Sequence, residues 1–376
     1  MTVLNVFTLD VSEKTVWIFF RLDGGDGAVG VGEATLNNRT GDVLEAVQTA
    51  AGSLASSQVS IALGLRQVRK ALPGVVGRVV ASGLEQAWLD LEGQRAGRPI
   101  SALLGGAYRR GVPCYANINR GTQSRTPAEF ADRAALALQD GYRAVKLAPF
   151  DNVKPDMSDE EARSAAIDAG LQRIAAVVER LDGSGHVHVD CHSRFRGSEA
   201  ASILDRVAAT GVAWFEEPIA EVAEALDEIA QLRSLAGRHR LILAGAEKCA
   251  DLGDFLPFLV KRCYDVIMPD IVLAGGPTEV VRVGHLAASL GTQVSLHNPC
   301  GPVMDMHSVH AAAAVPELHS LERQFRESPL YDDIVSNRAH AFSDGELHLA
   351  DVPGLGLTVD WGHPSLTARA RLQLDL

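Results

Sequence analysis

The 376 residues are 47% hydrophobic and 22% charged, an ordinary globular composition, and carry a formal net charge of −12 with a pI near 5.5. Such an acidic balance sets nucleic acid and anionic membrane surfaces aside as partners, and an anionic ligand would need local neutralisation, as by a bound divalent cation. The length is too great for one ordinary core unless that core is a large barrel, which takes about 250 residues and leaves room for a smaller second domain.

The chain opens MTVLNVFTLDVSEKTVWIFFRL, with no basic stretch leading into an uninterrupted apolar run. No apolar run reaches the roughly 18 residues of a membrane helix. Five scattered cysteines, Cys114, Cys191, Cys249, Cys263 and Cys300, form no CxxC pair. The expectation is a cytoplasmic protein with neither disulfides nor a zinc framework. Over residues 1–35 the alternation predicts a small antiparallel sheet: Val16, Ile18 and Phe20 share a face, DGGDG (23–27) turns, and VGVGEA (29–34) returns. The glycines at 25–32 lie in that hairpin, not between a strand and a helix, which speaks against a dinucleotide loop. Residues 40–100 read as helical, with Leu84, Ala87, Trp88 and Leu91 at three- and four-residue steps, and LLGG (103–106) ends the region.

From residue 112 the texture changes. Short apolar segments, VPCYANI (112–118), AVKLAPF (144–150), HVHVDCH (186–192), AWFEEP (213–218), LILAGAE (241–247), VIMPDI (266–271) and QVSLHNP (293–299), alternate with amphipathic runs such as 127–140, 160–181 and 277–291. Repeated strand-then-helix units imply parallel strands with helical crossovers. Seven or eight in succession favour a closed barrel, with an open doubly wound sheet as the alternative.

Polar residues fall where the apolar segments end: Lys146, Asp190, Glu216, Glu247, Asp270 and His297. From Asp190 onward the gaps are 26, 31, 23 and 27 residues, each about one strand-plus-helix unit, so successive residues would be neighbours on one barrel rim. Any one alone reads as a solvated loop acid; six in step do not. Asp190, Glu216 and Glu247 make an oxygen-only set suited to Mg²⁺, without which three close carboxylates would raise one another's pKa values. By strand alternation Cys191 turns away and His192 shares the side of Asp190.

VDCH (189–192), WFEEP (214–218), GAE (245–247), MPDIVLAGG (268–276) and SLHNP (295–299) together resemble, in order and spacing, the strand-end motifs of the enolase superfamily, and in particular its mandelate racemase subgroup. The resemblance extends to GEA (32–34) and LLGG (103–106). It implies a (β/α)7β barrel over 112–325, an N-terminal α+β capping domain over 1–111, and a C-terminal segment, 326–376, packing back on the cap. It implies Mg²⁺ held by Asp190, Glu216 and Glu247, a dyad in which Asp270 orients His297 as the base, and a homo-oligomer. Glu322 in LERQ (321–324) matches the acid that hydrogen-bonds the substrate carboxylate or enolate.

The subgroup's Lys-x-Lys pair is broken: VKLAPF (145–150) offers Lys146, then Ala148. In that subgroup the second lysine is commonly the base on the opposite face, so two-base racemisation loses its support. Lys146 is either a carboxylate-neutralising or proton-donating group or a lysine snorkelling from a strand edge. His192 is either a second acid or base or a hydrogen-bonded structural histidine. Asn117, Asn119, Arg120 and Arg194, also expected at strand ends, suit a hydroxylated anionic substrate; Lys248 is left without a role. The expected reaction is dehydration of an acid sugar or hydroxy acid to a 2-keto-3-deoxy acid, since one histidine can serve as base and acid when both groups leave from one face. The alternatives are an epimerase, racemase or cycloisomerase using Lys146 or His192, and a metal-binding barrel without turnover. Specificity is expected from the cap, in the segment before Lys14 and in LNNRTG (36–41).

Overall fold

A computed structural model of the chain describes residues 2–55 and 61–374; residues 56–60, inside the stretch expected to be helical, lie outside it. The N-terminal part contributes strands β1 (Thr2–Asp10), β2 (Val16–Asp23) and β3 (Val29–Glu33) and helices α1 (Thr40–Ala55), α2 (Ile61–Ala71), α3 (Val75–Ala96) and α4 (Ile100–Leu103). The helical region breaks at Pro73-Gly74, where Gly74 takes a φ of +87°. β1, β2 and β3 pair antiparallel as an expected meander. The glycines of VGVGE answer to packing: a Cβ on Gly30 or Gly32 would sit 1.9 Å from Ala87 O or 2.1 Å from Gly83 O. The backbone of α3 therefore lies directly on β3, which no side chain at those positions would allow.

The barrel runs β4 (Gly111–Asn117), α5 (Pro127–Gln139), β5 (Ala144–Leu147), α6 (Glu160–Leu181), β6 (His186–Asp190), α7 (Gly197–Ala208), β7 (Trp214–Glu216), α8 (Leu226–Arg238), β8 (Ile242–Gly245), α9 (Leu252–Val260), β9 (Val266–Ile267), α10 (Pro277–Ser289), β10 (Gln293–Leu296), α11 (Pro302–Ala313) and β11 (Leu318–Gln324). Consecutive strands pair in parallel and β11 pairs in parallel with β4, closing a (β/α)7β barrel rather than an open sheet. Helix starts are set by local chemistry. Thr126 accepts from Glu129 N ahead of Pro127, Asp159 from Glu161 N and Ala162 N, and Asp251 from Gly253 N and Asp254 N. The interior is filled: the His188 ring stacks on Trp214 at 4.9 Å, and Trp214, Ala244, Val266 and Met268 form a buried cluster. Only the rim is open to chemistry.

The C-terminal segment adds α12 (Leu330–Asp333), β12 (Val335–Ser336), β13 (Ala341–Ser343), β14 (Glu346–His348), β15 (Thr358–Val359) and β16 (Leu366–Leu374). β16 joins the cap sheet beside β1, whereas the β13–β14 hairpin pairs with barrel strand β4. The segment thus staples cap to barrel rather than resting on the cap alone. All five cysteines are free and buried, and among the described residues no helix is long and apolar enough to cross a membrane.

Candidate functional site

The strand register assembles the rim. Parallel pairing sets Asp190 level with Glu216, the last residues of β6 and β7, and Lys146 level with His188, two residues below Asp190. Glu247 follows β8 by two residues, and His297 immediately follows β10. Asp270 departs from expectation: β9 ends at Ile267, so the aspartate sits three residues into a loop. His192 departs as well. β6 ends at Asp190, and His192 takes a left-handed φ of +47° in the turn beyond. It faces the rim because its Nε2 pairs with Asp190 Oδ2 at 2.9 Å, not because a strand alternates. Glu217 (φ +42°) and Ala246 (φ +71°), flanking two of the carboxylates, share that uncommon backbone, a form of strain that concentrates at working sites.

Charges alternate across the rim. Lys146 is 1% exposed, with Nζ 2.7 Å from Glu216 Oε1, 2.8 Å from Glu322 Oε2 and 3.6 Å from Asp190 Oδ2. His297 presents Nδ1 to Asp270 Oδ2 at 2.9 Å and Nε2 to Glu247 Oε2 at 3.4 Å. Asp270 is held in turn: Oδ1 accepts from Val272 N at 2.6 Å and Leu273 N at 3.1 Å. Each of Asp190, Glu216 and Glu247 thus faces a side-chain cation, and among the described residues no three His, Cys, Asp or Glu side chains already converge on one metal position. Burial, then crowding by Asp190, Glu247 and Glu322, pushes Glu216 up to about 8 despite Lys146. For His297 burial works downward, but Glu247 and the Asp270 hydrogen bond prevail and raise it to about 10. The Asp190 carboxylate raises His192 to about 9.

Glu322, fully buried, has both oxygens taken: Lys146, Tyr115 OH (3.1 Å), Asn117 Nδ2 (2.5 Å) and Gln324 Nε2 (3.0 Å) all donate to it. Burial opposes its charge, but Lys146, His297 and the Asn117 hydrogen bond win and hold it near 2. Asn117 is therefore at the site as Glu322's partner. Asn119 is not free to meet a ligand through its carbonyl, which accepts from Ala148 N at 2.6 Å. Arg194 Nη1 turns to Val153 O at 3.3 Å, and Arg120 pairs with Glu327 at 2.9 Å. Lys248 gains a partner in Glu217. Sequence reasoning missed Tyr115 and Trp214, whose Nε1 donates to Glu216 Oε2 at 2.8 Å. Each stands two residues before a rim residue on the same strand face, which alternation would have disclosed. A cavity of about 520 Å³ between α8 and α9 is lined by Ser193, Glu217, Glu221, Lys248, Leu226 and Phe258. Neither Lys146 nor the dyad borders it, so it lies beside the charged rim.

Comparison with known proteins agrees with this fold. Residues 5–105 match the mandelate racemase/muconate lactonizing enzyme N-terminal domain, and residues 129–363 match the enolase C-terminal domain-like family. The D-gluconate dehydratase of Thermoproteus tenax is 29% identical over 348 residues, covering 91% of this chain and 68% of that protein. The D-xylonate dehydratase of Haloferax volcanii is 26% identical over 364 residues, covering 95% and 87%. The crystal structure of a mandelate racemase/muconate lactonizing enzyme-like protein from Rubrobacter xylanophilus superposes with a TM-score of 0.82 at 26% identity, over 95% of this chain and 94% of that one.

Proposed function

The chain belongs to the enolase C-terminal domain-like family with a mandelate racemase/muconate lactonizing enzyme N-terminal domain, and on that premise we propose that it is a hydro-lyase that dehydrates a sugar acid or related hydroxy acid to its 2-keto-3-deoxy acid. The observation that carries the reading is the Asp270–His297 pair, with His297 Nε2 aimed at the carboxylate cluster. The relatives named as dehydratases of gluconate and xylonate support the substrate class.

The donor set fits a hard divalent cation. It is made only of oxygens, and Glu247 Oε2 is buried with no hydrogen-bond partner among the described residues. Asp190, Glu216 and Glu247 would hold Mg²⁺, whose charge would stabilise the negative charge that develops on a bound carboxylate. Asp270 accepts the Nδ1 proton of His297, so in the neutral ring Nε2 is the basic atom facing the substrate. A cation on Glu247 would offset the carboxylate charge that otherwise keeps the ring protonated. His297 Nε2 removes the α proton, and the C–H electrons form a carbon–carbon double bond as the β C–O bond breaks. Lys146, whose ammonium is held between Glu216 and Glu322, would add positive charge beside a bound substrate carboxylate. The departing hydroxide takes a proton from His297 on the same face, or from His192, 41% exposed at the mouth, on another. The enol released then tautomerises to the keto acid, with water the only other product.

Ala148, 2% exposed, offers no base at the position of the subgroup's second lysine, which favours elimination over racemisation. Incubating the Mg²⁺-supplied protein with a panel of aldonic and aldaric acids, and following 2-keto acid formation, tests the proposal. Interconversion of α-epimers without keto acid would replace it with the epimerase reading.

A further inference from the structure

His297 works as a base only while Asp270 keeps hydrogen-bond distance and direction, yet both residues stand in loops beyond short strands. One backbone bond joins these loops directly, His297 N to Pro269 O at 3.1 Å. Asn298, next to His297, is tied to the barrel, donating to Asp305 Oδ1 at 2.8 Å and Glu322 O at 3.1 Å and accepting from Gln324 Nε2 at 3.1 Å. Further ties come from the cap. On the Asp270 side, Ser82 Oγ of α3 donates to Ile271 O at 2.8 Å and Arg78 Nε to Leu273 O at 2.9 Å. Thr278 N, in the first turn of α10, donates to Glu85 Oε1 at 3.0 Å. On the His297 side, Gly301 N and Met304 N donate to the two carboxylate oxygens of Glu33 at 2.7 and 3.0 Å.

The two sets of ties are one chain. Gln86 Nε2 donates to Ser82 Oγ at 2.9 Å and to Glu33 O at 3.0 Å, while Glu33 N donates to Gln86 Oε1 at 3.1 Å. Thr35 Oγ1 donates to Glu33 Oε1 at 2.7 Å. Ser82, Gln86 and Glu33 are all 0% exposed. An unbroken line of buried hydrogen bonds thus runs from the residue after Asp270, through α3 and the end of β3, to the start of α11 four residues after His297. Apolar contact would suffice to dock a cap; a buried polar chain, which loses free energy when any member is unpaired, fixes length and direction as well.

We propose that Ser82, Gln86 and Glu33 of the cap are positioning residues for the Asp270–His297 dyad, so that the cap sets the geometry of the base rather than only covering the substrate. The effect on turnover rests on the base role proposed for His297. The hydrogen-bond geometry itself does not.

Ser82→Ala removes the hydroxyl with almost no change of volume, Glu33→Gln leaves one helix-start N–H facing an amide NH₂, and Ser82→Thr keeps a hydroxyl. Displacements well under 1 Å at a reacting pair suffice to lower turnover about 10-fold or more. Ser82→Ala and Glu33→Gln should each lower kcat by about that factor and raise the primary isotope effect with α-deuterated substrate. KM and the calorimetric Mg²⁺ affinity should stay within about twofold, since the proposed metal ligands lie on other strands. The double variant should lose little more than the worse single variant, because one chain is already broken. Ser82→Thr should recover most of the rate. Multiplicative losses, an unmoved isotope effect, or a lower unfolding midpoint with kcat unchanged would each overturn the proposal. Should Glu33→Gln not fold, Ser82→Ala with its threonine rescue decides alone. The imidazole Nδ1 proton of His297, observed by NMR, separates this inference from the proposed reaction. Ser82→Ala should move it upfield whether or not any sugar acid turns over, and an unmoved resonance refutes the positioning role even in an active enzyme.

Discussion

Asp270→Asn confronts the dyad with two arrangements, and the structure gives the consequence of each. With the amide oxygen left on Val272 N and Leu273 N, as Asp270 Oδ1 is now, the NH₂ faces His297 Nδ1. The imidazole must then accept at Nδ1 and carry its proton on Nε2, where it cannot act as a base. Rotating the amide restores an acceptor to Nδ1 but points NH₂ at the buried Val272 N–H and the half-buried Leu273 N–H. Each unpaired N–H costs about 1–3 kcal/mol, so rotation costs roughly 2–6 kcal/mol. At about 1.4 kcal/mol per decade, the productive arrangement falls to between roughly 1 in 30 and 1 in 10⁴. We therefore expect kcat to drop by about 30- to 10⁴-fold, with substrate and Mg²⁺ affinity little changed, as steady-state kinetics and calorimetry would report. A loss of less than about threefold would show that Asp270 does not set the tautomer, and the reasoning would fail.

Glu216→Gln should lower turnover by at least about 10²-fold, since metal-ion stabilisation is worth several kcal/mol, and should abolish the heat of Mg²⁺ binding while circular dichroism stays native. Exhaustive chelation of the wild type should remove activity and added Mg²⁺ should restore it; full activity after chelation would exclude the proposed cofactor. Ala148→Lys should add a second-face base and allow α-epimerisation of a substrate that wild type only dehydrates, visible as a new diastereomer by NMR. Asp90 is 1% exposed with no cation paired to it among the described residues, and burial raises it from 3.8 to about 6. A raised folded pKa gives stability that is complete below about pH 4 and lost as pH rises through about 6, a change of roughly 3 kcal/mol by linkage. Urea unfolding of Asp90→Asn at pH 4.5 and 7.5 should lack that decline; an unaltered slope would place the titration elsewhere.

Much of the barrel was legible because periodicity and strand-end chemistry coincide. The run 160–181 is α6 to the residue, and the regular spacing of Asp190, Glu216 and Glu247 reflects one residue per βα unit. What periodicity could not convey is loop geometry. Asp270 and His192 were expected on strands, but β9 and β6 stop short, and what brings these residues to the rim is a hydrogen bond to His297 and an ion pair to Asp190. Asn119 and Arg194 were expected to meet substrate because polar groups at strand ends suit a hydroxylated ligand. Composition does not reveal that Asn119 Oδ1 accepts from Ala148 N and Arg194 Nη1 donates to Val153 O, while Arg194 Nε is buried without a partner among the described residues. Likewise VGVGE drew notice for its glycines, whereas the residue that reaches the loop after His297 is Glu33, whose partners lie 268 and 271 positions away. Contacts at that separation leave no periodic signal in a single sequence.

The central claim is that His297 removes a proton next to a carboxylate. Wild type and His297→Asn, each saturated with Mg²⁺ and given a sugar acid in D₂O, can be followed by ¹H NMR. Wild type should lose the α-proton signal and accumulate keto acid, and His297→Asn should do neither. Deuterium entering the α position at an undiminished rate in His297→Asn would contradict the claim and pass the base to Lys146 or His192.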